Sequence, residues 1–168
     1  SIIPSSADGA AIGSASAEFS DLFLADASTI QFGNDQEVRL IHNADKGLLL
    51  KHTATADDKP IILTLQTGET DMAANDVMGA IRFQAPDEGT GTDAILTAAA
   101  IQAVAEGDFA ADNNATRLEF HTGASEAAAS KMTLSSAGLL TISDDLMIKD
   151  GGTIGVASTN DAITISSA

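Results

Sequence analysis

Adjacent carboxylates are the residues of this sequence whose type and spacing could support acid–base chemistry. They occur as Asp57-Asp58, Asp87-Glu88 and Asp144-Asp145. Glycoside hydrolysis requires two carboxylates held on opposite sides of a sugar-binding cleft, and ligand clefts are commonly lined by aromatic side chains. The chain contains no Trp and no Tyr. We therefore interpret the pairs as solvated turn residues and predict no glycosidase activity.

Histidine is the second residue type that could act as a base or a ligand, and the chain has His42, His52 and His121. His42 and His121 each stand at the end of a strand-like segment. A serine triad would be expected on a G-x-S-x-G elbow, which the sequence lacks. Symmetry-related histidines around an axis could bind a metal ion, but the histidines are widely spaced. We interpret all three as strand-end or subunit-contact residues.

Turns rich in Asp and Gly are a third place where a ligand could bind. They occur at Gly33-Asn34-Asp35 and Asp150-Gly151-Gly152. Neither matches an EF-hand loop, a calcium-binding nonapeptide repeat or a phosphate-binding loop, and turn geometry accounts for the glycines. The absence of Cys excludes disulfides, zinc–thiolate sites and cysteine nucleophiles. We assign no catalytic, cofactor-binding or metal-binding residue, and we predict that the chain is not an enzyme.

The apolar composition favours a thin core over a thick one. Aromatic residues make up 4% of the chain and all are Phe, while the apolar share of 44% includes many alanines. Large aromatic side chains dominate most compact cores. We therefore expect an elongated core that repeats along an axis or is completed by neighbouring subunits. A compact β-sandwich with an Ile/Leu/Val core is the alternative, because short strands at regular spacing suit both.

The net charge of −16 excludes two classes of partner. Such an acidic chain repels nucleic acid phosphates and anionic lipid surfaces. No apolar run reaches the length needed to span a membrane. The opening residues, SIIPSSADGAAIG, lack Met and a basic segment. We expect no signal peptide and a piece of a longer or processed chain.

Alternating apolar and polar residues predict half-buried β-strands through most of the sequence. Clusters of Gly, Asn, Asp and Pro separate them and predict turns. The predicted strands are 29–32, 38–42, 61–65, 80–83, 117–121, 132–134, 139–142 and 162–165, and the predicted turns are 32–35, 43–47, 86–89, 112–114 and 150–152.

The alanine-rich stretch 93–106 supports two readings. Ile95, Ala98, Ala99, Gln102 and Glu106 fall at helical spacings. An alternating pattern also fits, with Ile95, Thr97, Ala99, Ile101, Ala103 and Ala105 on one face. Small residues on a strand can mark the close approach of another chain, and we favour the strand.

An internal repeat is the most informative feature of the sequence. Residues 21–30, DLFLADASTI, match residues 145–154, DLMIKDGGTI, and residues 63–68 more weakly resemble residues 118–123. A single hairpin is marginally stable in water, so each copy must bury its apolar face against an equivalent unit. Closed three-fold symmetry would satisfy this requirement. The repeat suggests three regions: an N-terminal β-repeat region at 1–77, a central β region at 78–142 and a C-terminal repeat copy at 143–168.

The central region resembles the segment found in many bacteriophage tail fibres and tailspikes, often just upstream of a self-cleaving chaperone domain. That segment runs G-x-I-x-F, then L-x-F-x-T, then a basic residue with M-x-I/L and a Gly-containing turn. The N-terminal repeats look like those of marine phage structural proteins. The Gly-rich end of the family segment is replaced here by AGLLTI. The matching residues are Gly79, Ile81, Phe83, Leu118, Phe120, Thr122, Lys131, Met132, Leu134, Gly138, Leu140 and Ile142.

The resemblance implies an all-β fold of elongated repeats of short strands and hairpins, intertwined as a homotrimer. It further implies a structural shaft or knob of a phage tail fibre that contributes to host attachment, located in the virion and extracellular. Its partners would be copies of itself, other virion or fibre proteins and a host surface receptor. A bacterial extracellular filament or adhesin subunit, or a capsid decoration protein, are the alternatives.

Overall fold

Eight β-strands form the regular secondary structure of residues 6, 11–85 and 91–150, which are the residues that this computed structural model describes. These residues contain no helix, and the predicted all-β class is therefore confirmed for them. The strands are β1 (Thr29–Phe32), β2 (Val38–Asn43), β3 (Gly47–His52), β4 (Val77–Gln84), β5 (Thr97–Ala105), β6 (Thr116–Thr122), β7 (Ala129–Leu134) and β8 (Leu140–Ile142).

The chain divides between Leu63 and Thr64 into two units, each of which is described by itself. The first unit contains an antiparallel three-stranded sheet in the order β1-β2-β3. The turn between β2 and β3 takes positive φ at Asp45 and Gly47, and Asp and Gly tolerate this region better than most residues. The turn predicted at 43–47 therefore lies where the sequence placed it.

The second unit contains an antiparallel five-stranded sheet in which consecutive strands are neighbours, β4-β5-β6-β7-β8. Its β7–β8 turn places Gly138 at φ +82°, and the Gly138 amide donates to the Ser135 carbonyl at 2.9 Å. The register shifts by one residue in three strands, at Met78 in β4, at Ala98 in β5 and at Lys131 in β7. Such bulges increase local twist and restore the alternation of faces after the extra residue.

The alanine-rich stretch forms a strand, as the alternating pattern predicted. β5 covers Thr97–Ala105 and pairs with β4 on one side and with β6 on the other. The preceding residues form a turn in which the Leu96 amide donates to the Asp93 carbonyl. Ile95 therefore lies outside the strand, although the pattern included it. Tertiary pairing with two neighbours outweighs the helix propensity of the alanines.

The predicted strand at 61–65 is wrong, because these residues belong to no strand. Alternation alone does not make a strand when no neighbouring segment supplies the hydrogen bonds. β3 was not predicted, since its run of three leucines does not alternate. The predicted strand at 162–165, the turn at 86–89, residues 151–154 of the second repeat copy and most of the 143–168 region lie outside the described residues.

Very little apolar side chain is buried in the described part of the chain. Ala100, Val104 and Ala105 are the buried apolar residues, and all three belong to β5. No Ile or Leu of the described residues is buried, so the Ile/Leu/Val core of the compact-sandwich alternative is not observed there.

Candidate functional surface on the five-stranded sheet

Two rows of apolar side chains cross all five strands of the larger sheet on the same face. Residues directly opposite one another in an antiparallel sheet share a face, so the register defines both rows. We call this surface the apolar face. Its rows are Gly79–Ala103–Leu118–Leu134–Leu140 and Ile81–Ile101–Phe120–Met132–Ile142, and Phe83–Ala99–Thr122–Ala129 continues it at one end.

The apolar face is largely open to solvent. Phe83 and Leu140 are each 54% exposed, and Ile81 is 47% exposed. None of the three rows contains an ionisable side chain. Contiguous exposed apolar patches of this kind mark interaction surfaces in soluble proteins.

The residues that carry the sequence resemblance mostly lie on this one face. The G-x-I-x-F and L-x-F-x-T patterns have a period of two, and side chains two residues apart in a strand point the same way. Two of the matching residues have a different role. Lys131 is the extra residue of the β7 bulge, and Gly138 takes the positive φ of the β7–β8 turn.

One corner of the apolar face is covered by the segment that precedes β4. A Cβ added to Gly79 would lie 3.0 Å from the Leu65 Cβ. Leu65 is therefore stacked directly over the Gly79 backbone, and a larger residue at 79 would displace it. Leu65 itself remains 47% exposed, so it covers only this corner.

The opposite face of the sheet carries a buried hydrogen-bond network centred on Glu119. The Glu119 side chain is only 10% exposed. Arg117 Nε donates to Glu119 Oε1 at 2.7 Å. Gln102 Nε2 donates to Glu119 Oε2 at 3.0 Å, and His121 Nε2 lies 2.8 Å from the same oxygen. Every acceptor oxygen of this carboxylate therefore has a partner, as a buried charge requires.

Arg117 connects this network to the backbone around it. Its Nη1 donates to the Ala105 carbonyl at 3.3 Å, and its Nη2 donates to Asn75 Oδ1 at 3.2 Å. The Asn75 amide in turn donates to the Ala105 carbonyl, and the Ala105 amide donates to Asp76. Arg117 thus joins the end of β5, β6 and the turn before β4.

The network sets the protonation state of Glu119. Burial alone would raise the pKa of Glu119, but the hydrogen bonds from Arg117, His121 and Gln102 and the charge of Arg117 outweigh it, so the pKa lies below its usual value of 4.5. The carboxylate is ionised and fully bonded at neutral pH. Both carboxylate oxygens are hydrogen-bonded to side chains of β5 and β6. Glu119 is therefore placed as a structural group and not as an acid or base open to a substrate.

The other candidate residues do not assemble into a site. Asp57-Asp58 and Asp144-Asp145 are exposed, and Asp87-Glu88 lies outside the described residues. His42 Nδ1 lies 3.6 Å from the exposed Asp26. His52 lines an open depression of about 390 Å³ with Asp35, Glu37, Thr53, Ala54 and Lys59.

Within the described ranges, no three His, Cys, Asp or Glu side chains are grouped so that they could hold a metal ion. The same ranges contain no helix long and apolar enough to cross a membrane. Sequence reasoning named His121 but missed the network around Glu119, to which Gln102 and Arg117 also donate. The available signal was the polar side of R-L-E-F-H, which places three polar residues on one face of a strand.

No protein-family model, curated protein or solved structure matches this chain.

Proposed function

We propose that this chain is a non-enzymatic structural segment of a bacteriophage tail fibre that assembles as a homotrimer through the apolar face of its five-stranded sheet. The observation that carries the proposal is the pair of uncharged, solvent-exposed rows that cross all five strands. The sequence resemblance supports the fibre assignment, because its alternating motif residues supply most of these rows. In a virion, this segment would form part of a shaft or knob that contributes to host attachment.

The distribution of charge favours copies of the same chain as the partner. Each copy carries a net charge of −16, so most pairs of surfaces on two copies repel each other. The apolar face is free of this repulsion because its three rows contain no charged side chain. Copies can therefore meet there at the lowest electrostatic cost.

Burial of the apolar face would supply much of the stability that a single copy lacks. Six of its side chains, Ile81, Phe83, Ile101, Leu118, Leu134 and Leu140, are between 38% and 54% exposed. Covering a half-exposed aliphatic or aromatic side chain contributes about 1 kcal/mol. The gain is therefore on the order of 6 kcal/mol per copy, comparable to the whole stability of a small domain.

The molar mass in solution tests the proposal. Gel filtration with light scattering should give three times the chain mass of 17.0 kDa. A monomer at micromolar concentration would overturn the proposal, and an open polymer would replace it with the filament alternative.

A matched pair of variants on β8 tests the face itself. Leu140 lies on the apolar face opposite Leu134, whereas its neighbour Thr141 lies on the other face opposite Thr133. Leu140→Asp should weaken association by about a hundredfold, because a carboxylate would have to be desolvated in each interface. Thr141→Asp adds the same charge at an exposed position of the same strand and should leave the trimer intact. Equal loss of association in both variants would show that copies do not meet through the apolar face.

A further inference from the structure

The segment between the two sheets has the composition of a β-strand but no strand partner. Residues 59–69 contain no helix, strand, turn or bend, and none of them has a positive φ. This backbone is therefore extended. Ile61, Ile62, Leu63 and Leu65 are between 43% and 72% exposed. We call residues 61–67 the unpaired segment.

The backbone of the unpaired segment has unused hydrogen-bonding capacity. Among the residues that the structure describes, residues 61–67 neither donate nor accept a backbone–backbone hydrogen bond. The segment has high β-propensity, no charge and no Gly or Pro, which is the composition of strands that pair readily with other strands. A neighbouring strand would satisfy its amides and carbonyls and cover its aliphatic side chains.

The outer edge of β4 also has backbone amides and carbonyls that no described strand pairs with. β4 is the first strand of the five-stranded sheet and pairs only with β5 among the described strands. It is 8 residues long, and long open edges are templates for pairing with another chain. Its one charged side chain is the exposed Arg82. The residues that flank the unpaired segment carry a net negative charge, with Asp57, Asp58, Glu69 and Asp71 against Lys59.

Leu65 of the unpaired segment does not lie beside the β4 edge of its own chain. Leu65 lies over the apolar face at Gly79, with 3.0 Å between the Leu65 Cβ and a Cβ placed on Gly79. A backbone stacked above the sheet cannot lie beside its edge at the same point, since edge pairing requires the two strands to lie side by side about 4.8 Å apart. The edge therefore remains available to a second copy.

We propose that, in the assembly put forward under Proposed function, the unpaired segment of one copy pairs with the outer edge of β4 in a neighbouring copy. This contact is heterologous, because it joins two different surfaces, the segment of one copy and the edge of the next. Three copies close into a ring when each copy provides one segment and one edge. Strand addition to an open edge provides main-chain hydrogen bonds for affinity. The charge pattern favours this partner, because the flanks of the segment carry a net negative charge and the edge carries an arginine.

Cross-linking tests the pairing directly, because the chain contains no native Cys. Thr64→Cys lies in the segment and Ala80→Cys lies in the middle of β4. The two single variants are mixed, unfolded, refolded together and treated with a bis-maleimide whose reach tolerates a shift of register. The expected product is an interchain link between position 64 of one copy and position 80 of another, identified by peptide mass. Links only between two copies of position 64, or no link in a sample that is trimeric, would overturn the pairing.

A proline variant tests the same contact by a separate route. Leu63→Pro removes a backbone donor and disfavours strand pairing, and it should lower the trimer fraction at least tenfold. Thr55→Pro, in the exposed linker before the segment, is the control and should leave the trimer intact. A Leu63→Pro variant that stays trimeric overturns the strand pairing but not the proposed function. A monomeric wild-type protein overturns both the strand pairing and the proposed function. If Leu63→Pro loses its far-ultraviolet circular dichroism, the variant has unfolded, and the cross-linking result decides.

Discussion

The two sheets differ in how much of their stability each can supply alone. In the three-stranded sheet no residue of β1, β2 or β3 is buried. In the five-stranded sheet β5 and β6 contain four buried residues, Ala100, Val104, Ala105 and Glu119. Strand number alone does not explain the difference, because β2 also has a neighbour on each side. The end of β5 differs in that Ala105 exchanges backbone hydrogen bonds with Asn75 and Asp76 of the segment before β4.

The two sheets also differ in how their polar side chains are paired. In the smaller sheet, the row Gln31–Arg39–Lys51 brings two cations side by side. In the larger sheet, the corresponding polar residues Gln102, Arg117 and His121 converge on Glu119. The larger sheet therefore contains a polar network of its own, and the described residues of the smaller sheet contain no comparable one.

Hydrogen exchange should show the largest difference between the sheets. β5 and β6 each pair with a strand on both sides. Their slowest amides should exchange at least about a hundredfold more slowly than the slowest amides of β1–β3. This ratio corresponds to a difference of about 2.7 kcal/mol in opening free energy. Exchange followed by mass spectrometry of peptides from the wild-type protein measures this ratio. Equal protection in both sheets would contradict the idea that only the larger sheet has a core of its own.

Removing the charge at the centre of the network should produce the next largest effect. Glu119→Gln keeps the shape but turns one acceptor into a donor that faces Arg117 or His121, and it leaves Arg117 without its carboxylate. We expect a loss of about 2 kcal/mol in the free energy of unfolding. Circular dichroism during urea unfolding is the appropriate signal, since the chain has no Trp or Tyr.

The exposed Glu126 provides the control for this variant. Its only hydrogen-bond partner in the described residues is the neighbouring Ser125. Glu126→Gln should change the unfolding free energy by less than about 0.5 kcal/mol. If the two variants lose the same amount of stability, the network contributes nothing beyond the general effect of charge.

The strands were predictable wherever local alternation and tertiary pairing agree. β1, β2, β6 and β8 begin and end within one or two residues of their predicted limits. The sequence alone could not show that residues 61–65 lack a partner, because pairing depends on what lies beside a segment and not on its own pattern. For β3 the sequence pattern fails in the other direction. Its three leucines do not alternate with polar residues, yet it forms a strand because it pairs with β2.

The candidate surface was only partly predictable for the same reason. The motif residues Gly79, Ile81 and Phe83 share a face because they are two apart, and this could be read from the sequence. That Ile81, Ile101 and Phe120 form one row across the sheet depends on the register of two strand pairs. The Glu119 network depends on register as well, since Gln102 lies opposite Glu119 only with this pairing of β5 and β6.

Acid should remove the network's contribution and thereby reduce the difference between the two sheets. Because the pKa of Glu119 is lowered in the folded chain, the unfolded chain takes up a proton first as the pH falls. Its stabilising effect is therefore fully present above the ordinary pKa of 4.5 and is lost as the pH falls through the lowered folded value. The gap in unfolding free energy between wild type and Glu119→Gln should narrow as the pH falls below 4.5. Urea unfolding of both proteins across this range measures the gap, and the other carboxylates cancel in the difference. A gap that widens toward low pH would mean that burial raises the pKa of Glu119 by more than the hydrogen bonds from Arg117, His121 and Gln102 lower it. The ionised carboxylate would then destabilise the sheet.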